Sequence, residues 1–216
     1  MKHFIILTLA MLLHASAFAQ IDPKKYNKNA TEVVEFTKFP RTIAEFKAEQ
    51  ARLGNSIGGA VALTLMAYQM YYNDQTVGTE ALKLINYSGN MYSTLSVLKQ
   101  KYRKSLAGKD SYCQPWLVAS YLEGATPANA YRPSKPYRIH VRTNPARKYE
   151  TLNSSTFRGW IYPVQVKCNG ADTAWRGVDV CKEKGKQYYT IFNCPSLYVG
   201  VKEIDLECDD DYVDIK

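Results

Sequence analysis

The sequence predicts an α+β domain in which a helical N-terminal half packs on one face of a C-terminal antiparallel sheet, a meander of about five strands. Two patterns lead to this prediction. Residues 42–122 carry apolar side chains at helical spacing, whereas residues 137–204 alternate apolar and polar side chains as strands do. A segment with three prolines, residues 125–136, separates the two patterns. Because a sheet with one apolar face needs a cover, we expect the helical half to supply it.

Residues 1–19 have the composition of a cleavable export signal. Lys2 gives a positive start, residues 4–13 form an apolar run, and Ala17 and Ala19 provide the small residues of a cleavage site. A membrane anchor is the alternative, but a span needs ~20 apolar residues and this run is shorter. We therefore expect cleavage near Ala19, which leaves a periplasmic or secreted protein without a transmembrane segment.

Residues 20–30 are polar and include three lysines, so they predict a mobile leader ahead of a single domain at residues 31–204. The helical part is expected over residues 31–124. Its first helix opens with a capping box, because Thr42 precedes Glu45 by three positions. The second helix is apolar nearly all round, which indicates central burial. The predicted helices cover residues 42–53, 56–73, 79–85, 90–105 and 115–122.

The sheet part is expected over residues 136–204. Turn-forming pairs such as Asn169-Gly170 and Lys184-Gly185 separate its strands. The predicted strands cover residues 137–142, 157–168, 173–182, 187–193 and 197–204. Residues 205–216 form an acidic tail that lacks the regular ligand spacing of a calcium-binding loop.

The strand half also carries a spaced series of short motifs. They are Tyr-Arg-Ile-His-Val at 137–141, Gly-Ala-Asp at 170–172, Arg-Gly-Val at 176–178, Tyr-Tyr at 188–189 and Ser-Leu-Tyr-Val-Gly-Val at 196–201. Over residues 131–204 the chain resembles a family of uncharacterised, signal-bearing bacterial proteins that contain a domain of unknown function and end in a similar strand. Because that family has no established activity, the resemblance implies a secreted α+β domain and no catalytic residues.

Composition limits the chemistry that is possible. Two of the three histidines, His3 and His14, lie in the predicted signal, so the mature protein keeps only His140. The sequence has no metal-ligand motif, nucleophile elbow or phosphate loop. We therefore predict no catalytic residue, no metal ligand and no cofactor, and we favour a non-enzymatic protein. The alternative enzyme class is a hydrolase of envelope polysaccharide, with paired carboxylates in a cleft between the helices and the sheet.

A basic stretch with interleaved tyrosines is the best candidate for a binding surface. Residues 131–149 contain six basic residues, three tyrosines and no acidic residue. Such a surface suits a protein, an anionic ligand or a glycan at the cell envelope, whereas nucleic acid is disfavoured because no binding module is recognisable. An exposed face kept soluble by its charge is the alternative, and the aromatic side chains suit a sheet core equally well. The predicted binding residues are Arg138, His140, Arg142, Tyr162, Trp175, Arg176, Tyr188 and Tyr198.

The cysteines and the remaining function class leave further alternatives open. The chain has five cysteines, which cannot all pair internally. Hairpin spacing disfavours bridges from Cys181 to Cys168 or Cys194, so Cys194 with Cys208 is the favoured disulfide. The alternative is that most cysteines are free and semi-buried. An exported inhibitor or immunity-type protein is a third possible function, and the oligomeric state stays open.

Overall fold

A computed structural model describes residues 20–26, 29–87, 91–102 and 114–204 of the 216-residue chain. The α+β prediction is confirmed, because the described residues form four α-helices in the N-terminal half and a six-stranded antiparallel sheet built mainly from the C-terminal half. The helices are α1 (Ile43–Leu53), α2 (Ile57–Asn73), α3 (Gln75–Ile85) and α4 (Met91–Lys101). The strands are β1 (Thr31–Phe36), β2 (Tyr137–Thr143), β3 (Glu150–Asn153), β4 (Arg158–Lys167), β5 (Trp175–Glu183) and β6 (Thr190–Asn193).

The sheet follows the order β1-β2-β4-β5-β6, and β3 pairs with β4 off this path. Strand β1 comes from the part of the chain predicted to be helical. It pairs antiparallel with β2 along its whole length, from Thr31 opposite Arg142 to Phe36 opposite Tyr137. Its burial alternates from one residue to the next, and two adjacent valines give it β-branched side chains that favour a strand. One edge of the sheet is therefore supplied by the N-terminal half.

Helix α2 forms the centre of the core, as its apolar composition predicted. Residues 57–71 are all buried. Ser56 caps the N-terminus of the helix by accepting a hydrogen bond from the N–H of Gly59. The buried carboxylate of Glu32 on β1 accepts a second bond from the N–H of Gly58 at 3.0 Å. A helix N-terminus favours a negative charge, so this contact anchors β1 to the first turn of the central helix.

The segment at 20–26, expected as part of a mobile leader, packs against the domain instead. Ile21 is buried, and its N–H donates to the same Glu32 carboxylate at 3.2 Å. The Tyr26 hydroxyl donates to the carbonyl of Pro163 on β4. The prediction of a mobile leader followed from the polar composition of this segment and did not take account of Ile21 and Tyr26. Burial of the apolar area of these two side chains stabilises the packed position.

The sequence also led to predictions for the two ends of the chain. Residues 1–19, predicted as a signal, and residues 205–216, predicted as an acidic tail, lie outside the described residues. Among the residues that the structure describes, no helix combines the length and the apolarity needed to cross a bilayer.

The fifth predicted helix is wrong. Residues 115–122 form turns and a single short 3-10 helix at Ala119–Tyr121. Part of this segment bonds to the sheet region, since the N–H of Asn169 donates to the carbonyl of Ser120 at 2.8 Å. Its apolar side chains still enter the core, so the burial pattern was correct although the backbone conformation was not.

The last predicted strand, residues 197–204, is also wrong, because the structure has turns and irregular backbone there. In this segment, side chains donate hydrogen bonds to backbone carbonyls that would pair with a neighbouring strand if the segment were in the sheet. The Tyr121 hydroxyl donates to the carbonyl of Leu197 at 2.8 Å, and the Gln114 amide donates to that of Val201 at 3.2 Å. The other four predicted strands correspond to β2, β4, β5 and β6.

Candidate functional site

The sheet face opposite the helices, here called the outer face, carries four of the predicted binding residues. Along β2 the odd-numbered side chains are buried and the even-numbered ones are partly exposed. Arg138, His140 and Arg142 therefore share the outer face, as the period-two pattern predicted. Trp175 at the start of β5 joins them, because the guanidinium of Arg142 lies over its ring.

One end of this surface is neutralised by carboxylates. We call it the closed end, formed by Glu35, Glu123, Arg138 and His140. The Nε of Arg138 donates to Oε2 of Glu35 at 2.9 Å, and its Nη1 lies 3.8 Å from Oε1 of Glu123. The Nε2 of His140 is 2.7 Å from Oε2 of Glu123. Two carboxylates thus compensate the charge of Arg138, and one of them also fixes the histidine ring.

The positions of these two carboxylates follow from backbone pairing. The antiparallel register of β1 and β2 places Glu35 opposite Arg138. Glu123 lies outside the named strands, but its N–H donates to the carbonyl of Arg138 at 2.9 Å and so holds it beside β2. Glu123 precedes Gly124, whose φ of 82° turns the chain in a conformation that glycine favours.

The other end has a cation without a carboxylate. We call it the open end, formed by Arg142, Gln165, Lys167, Trp175 and Gly177. The Nε of Arg142 donates to the amide oxygen of Gln165 at 2.9 Å, and its guanidinium carbon lies 4.0 Å from the centre of the Trp175 ring. Such a cation–π contact stabilises the guanidinium without changing its charge. Within the described part of the chain, Arg142 has no acidic partner, and its two terminal nitrogens make no hydrogen bond.

A small apolar cluster covers another part of the outer face. Ile161 on β4 and Cys181 on β5 face each other across the strand pair and are both buried. The cluster consists of Phe157, Ile161 and Cys181, with Tyr87, Leu152 and Phe192 packed against them. Between this cluster and the open end, Asp179 on β5 pairs with Arg147 at 2.7 Å and adds a further polar contact to this face.

Tyr162, another predicted binding residue, lies on the helix side of the sheet. Only 6% of it is exposed. Its ring centroid lies between 5.8 and 6.2 Å from those of Tyr26, Tyr149 and Tyr189. Burial raises the pKa of Tyr162 above the usual value for a phenol. The Tyr162 side chain is therefore a buried member of a tyrosine cluster and is not part of the outer face.

The remaining predicted residues are dispersed. Arg176 donates through Nη2 to the carbonyl of Gly200 at 3.3 Å on the helix side of the sheet. Tyr188 lies against Gly54, where an added Cβ would come within 2.8 Å of its ring. Tyr198 is partly buried and packs against the main core. The structure therefore divides the predicted tyrosine-rich, basic surface into separate regions.

Three cysteines in the described chain, Cys168, Cys181 and Cys194, are buried free thiols. The Sγ of Cys194 lies 3.2 Å from the Tyr68 hydroxyl, and burial raises the pKa of this thiol to about 11. Cys208, its predicted disulfide partner, lies outside the described residues, so that pairing stays a prediction. Among the side chains described, no group of three His, Cys, Asp or Glu residues is arranged to hold a metal ion.

Fold and surface together define an α+β domain whose outer sheet face carries an arginine–tryptophan pair beside a carboxylate-neutralised arginine and histidine. A family model described as "Domain of unknown function (DUF6935)" matches residues 38–205. The chain therefore belongs to this family. No curated protein and no solved structure matches the chain.

Proposed function

We propose that this chain is an exported, non-enzymatic binding module whose open end holds an acidic group of a protein partner. The observation that carries the proposal is the state of Arg142. Its side chain is fixed by Gln165 and Trp175, whereas its charge has no acidic partner among the described residues.

The chemistry of a guanidinium favours a carboxylate ligand at this position. Arginine binds a carboxylate best through two parallel N–H groups, and the two terminal nitrogens of Arg142 are available for that. Because Gln165 and Trp175 already restrict the side chain, less conformational entropy is lost when a ligand binds. Lys167, exposed and opposite Trp175 in the strand register, adds positive charge nearby.

The shape of the open end favours a protein over a small ligand. Its residues lie on three adjacent strands of one sheet face, and they line neither of the cavities described for this part of the chain, whereas small-molecule sites are usually concave. Arginine and tryptophan are also frequent at the centre of protein interfaces. The closed end would then contribute a polar rim. Export is supported by the composition of residues 1–19, which places the expected partner at the cell envelope.

The alternative of a polysaccharide hydrolase receives no comparable support. Among the described residues that line the cleft between the ends of α1 and α3 and the β5–β6 turn, Glu183 is the single carboxylate. Glycoside hydrolysis of the expected kind uses two carboxylates on opposite sides of the scissile bond. The binding module is therefore the function that the geometry supports best.

Photo-crosslinking at Gly177 tests the proposal. This position is opposite Gln165 in the strand register, and an added Cβ would meet only Ser196 Oγ at 3.9 Å. A benzoylphenylalanine at position 177 therefore has room beside Arg142. In cells that produce the full chain, we expect a light-dependent adduct with one protein. The same adduct should disappear with Arg142→Gln and persist with the matched change Arg138→Gln at the closed end.

Three outcomes would overturn this proposal. They are the lack of any adduct, an adduct whose yield does not depend on Arg142, and an adduct that contains glycan without polypeptide. Circular dichroism and thermal unfolding of each variant establish that the loss reflects binding and not misfolding.

A further inference from the structure

A separate cavity lies between the helices and the last hairpin of the sheet. Its volume is about 370 Å³, near the lower end of the roughly 300–1,000 Å³ range of small-molecule sites. Helix α1 contributes Gln50, the end of α3 contributes Asn86 and Tyr87, and the β5–β6 region contributes Glu183 and Tyr188. None of these residues belongs to the open or closed end of the outer face.

Two amides that are more than nine-tenths buried line this cavity, and the oxygen of one of them is an unused acceptor. Asn86 is 9% exposed and Gln50 is 7% exposed. Among the described residues, the Oδ1 of Asn86 has no hydrogen-bond partner, and its Nδ2 makes only a weak contact with the sulfur of Met91 at 3.8 Å. Gln50 donates through Nε2 to the carbonyl of Leu84 at 3.1 Å, while no described residue donates to its Oε1. Because an unpaired buried polar group is unfavourable, the unpaired Oδ1 of Asn86 at this cavity points to a ligand that donates a hydrogen bond.

Aromatic rings form part of the same wall. The ring of Tyr87 stacks on Phe192 with centroids 5.2 Å apart, and its hydroxyl donates to the Thr156 carbonyl. Tyr188 approaches α1 closely because Gly54 has no side chain, and a Cβ there would come within 2.8 Å of the tyrosine ring. The cavity therefore combines rigid aromatic surface with amide groups, which together can contact both the faces and the edges of a ring.

The charges at the cavity are mixed. Lys83 and Lys186 line it together with Glu183, so cations and a carboxylate are both present. Neither a strong anion nor a strong cation matches that arrangement, since each would meet a like charge. A hydroxyl group can donate to the amide oxygens and accept from the lysines, so it matches every polar group in the wall.

We infer that this cavity binds one neutral sugar ring, with its hydroxyl groups on Asn86 and Gln50 and its ring beside the tyrosines. The site is distinct from the protein-binding open end. Its described lining holds a single carboxylate, so these residues bind the sugar without supplying the carboxylate pair of a glycosidase.

The test is a titration of the full ¹⁵N-labelled chain with glucose, galactose, mannose and N-acetylglucosamine, each to tens of millimolar, followed by amide chemical shifts. We expect at least one sugar to cause saturable shifts at Gln50, Asn86 and Tyr188. Asn86→Ala should weaken that affinity about tenfold, as expected for the loss of a hydrogen bond in a buried site. Asn193→Ala, an exposed asparagine on β6 outside the cavity, is the matched control and should leave the affinity unchanged.

Tyr188→Ala supplies a second test if Asn86→Ala fails to fold, and it should also weaken binding. The absence of saturable shifts with all four sugars, or shifts confined to residues away from the cavity, would overturn the inference. Equal affinity in the folded cavity variants and in Asn193→Ala would do the same. The adduct at position 177 and the shifts at the cavity are independent readouts, so failure of one proposal leaves the other standing.

Discussion

Arg138 and Arg142 are four residues apart on one face of one strand, yet their surroundings are opposite. Arg138 is opposite Glu35 on β1 and close to Glu123, so its charge is compensated within the domain. Arg142 is opposite Thr31 on β1 and Gln165 on β4, and neither neighbour can neutralise it. The difference teaches that the cross-strand neighbours, and not the strand sequence itself, decide which arginine is available to a partner.

The most direct way to break this comparison is to close the open end. Gln165→Glu would place a carboxylate where the amide now accepts from Arg142 Nε. We expect the light-dependent adduct at position 177 to fall about tenfold or more, because the partner's acidic group would compete with an internal one. The free energy of unfolding should change by no more than about 1 kcal/mol, since such a pair is only partly buried.

The control for this variant is Gln100→Glu on α4, which makes the same change in net charge on an exposed part of a helix. It should leave the adduct yield unaltered. If the two variants reduce the yield equally, long-range charge and not the local pairing of Arg142 governs binding.

The reverse change opens the closed end and has a smaller expected effect. Glu35→Gln removes the 2.9 Å ion pair with Arg138. Urea denaturation should give a free energy of unfolding lower by about 0.5–1 kcal/mol, with the difference shrinking as salt is added. Glu80→Gln, at an exposed residue of α3, provides the reference. Equal destabilisation by both variants would mean that the closed end contributes no stability of its own.

Alkaline pH is expected to change binding at the outer face least, because it acts mainly on the stability of the fold. It therefore distinguishes loss of the fold from loss of binding. Burial raises the pKa of Tyr26 and of Tyr189 to about 12, from an ordinary value of 10.0. Because the folded-state pKa is higher, the neutral phenols stabilise the fold fully below pH 10, and this stability is lost as pH rises from 10 to 12. The guanidinium groups keep their charge in this window.

We therefore expect the free energy of unfolding to decline between these two pH values while the domain that remains folded still binds. Tyrosinate absorbance and circular dichroism, recorded together, measure this. Tyr26→Phe should reduce the slope, whereas Tyr92→Phe should not, because Tyr92 is 87% exposed. A slope that is the same in both variants would assign the alkaline transition to other groups.

Much of the layout could be predicted from local patterns. The capping box at Thr42 and Glu45 is present, and the all-round apolar stretch is the central helix. The alternation in β2 correctly placed Arg138, His140 and Arg142 on one face. These features depend on residues a few positions apart, for which sequence spacing is a direct measure of geometry.

The composition of the site could not be predicted in the same way, because it depends on strand register. Trp175 reaches Arg142, and Tyr162 points to the opposite face, because β4 and β5 pair with Lys167 opposite Trp175. A shift by one residue would exchange the faces, and no local pattern sets that register. Glu35 was missed since β1 lies in the helical half, although its alternating burial is the ordinary signature of a strand.

The carboxylate of Glu32 joins the segment at Ile21, the edge strand β1 and the first turn of α2. The family match begins at residue 38, after β1 has ended. A protein expressed from residue 38 would lack that strand, so the backbone of β2 would become an unprotected edge open to pairing with other copies. It would also lose Glu35, so that Arg138 would keep only the 3.8 Å contact with Glu123. Expression for crystallography or binding assays should therefore begin at Gln20, well upstream of the boundary that the family match defines.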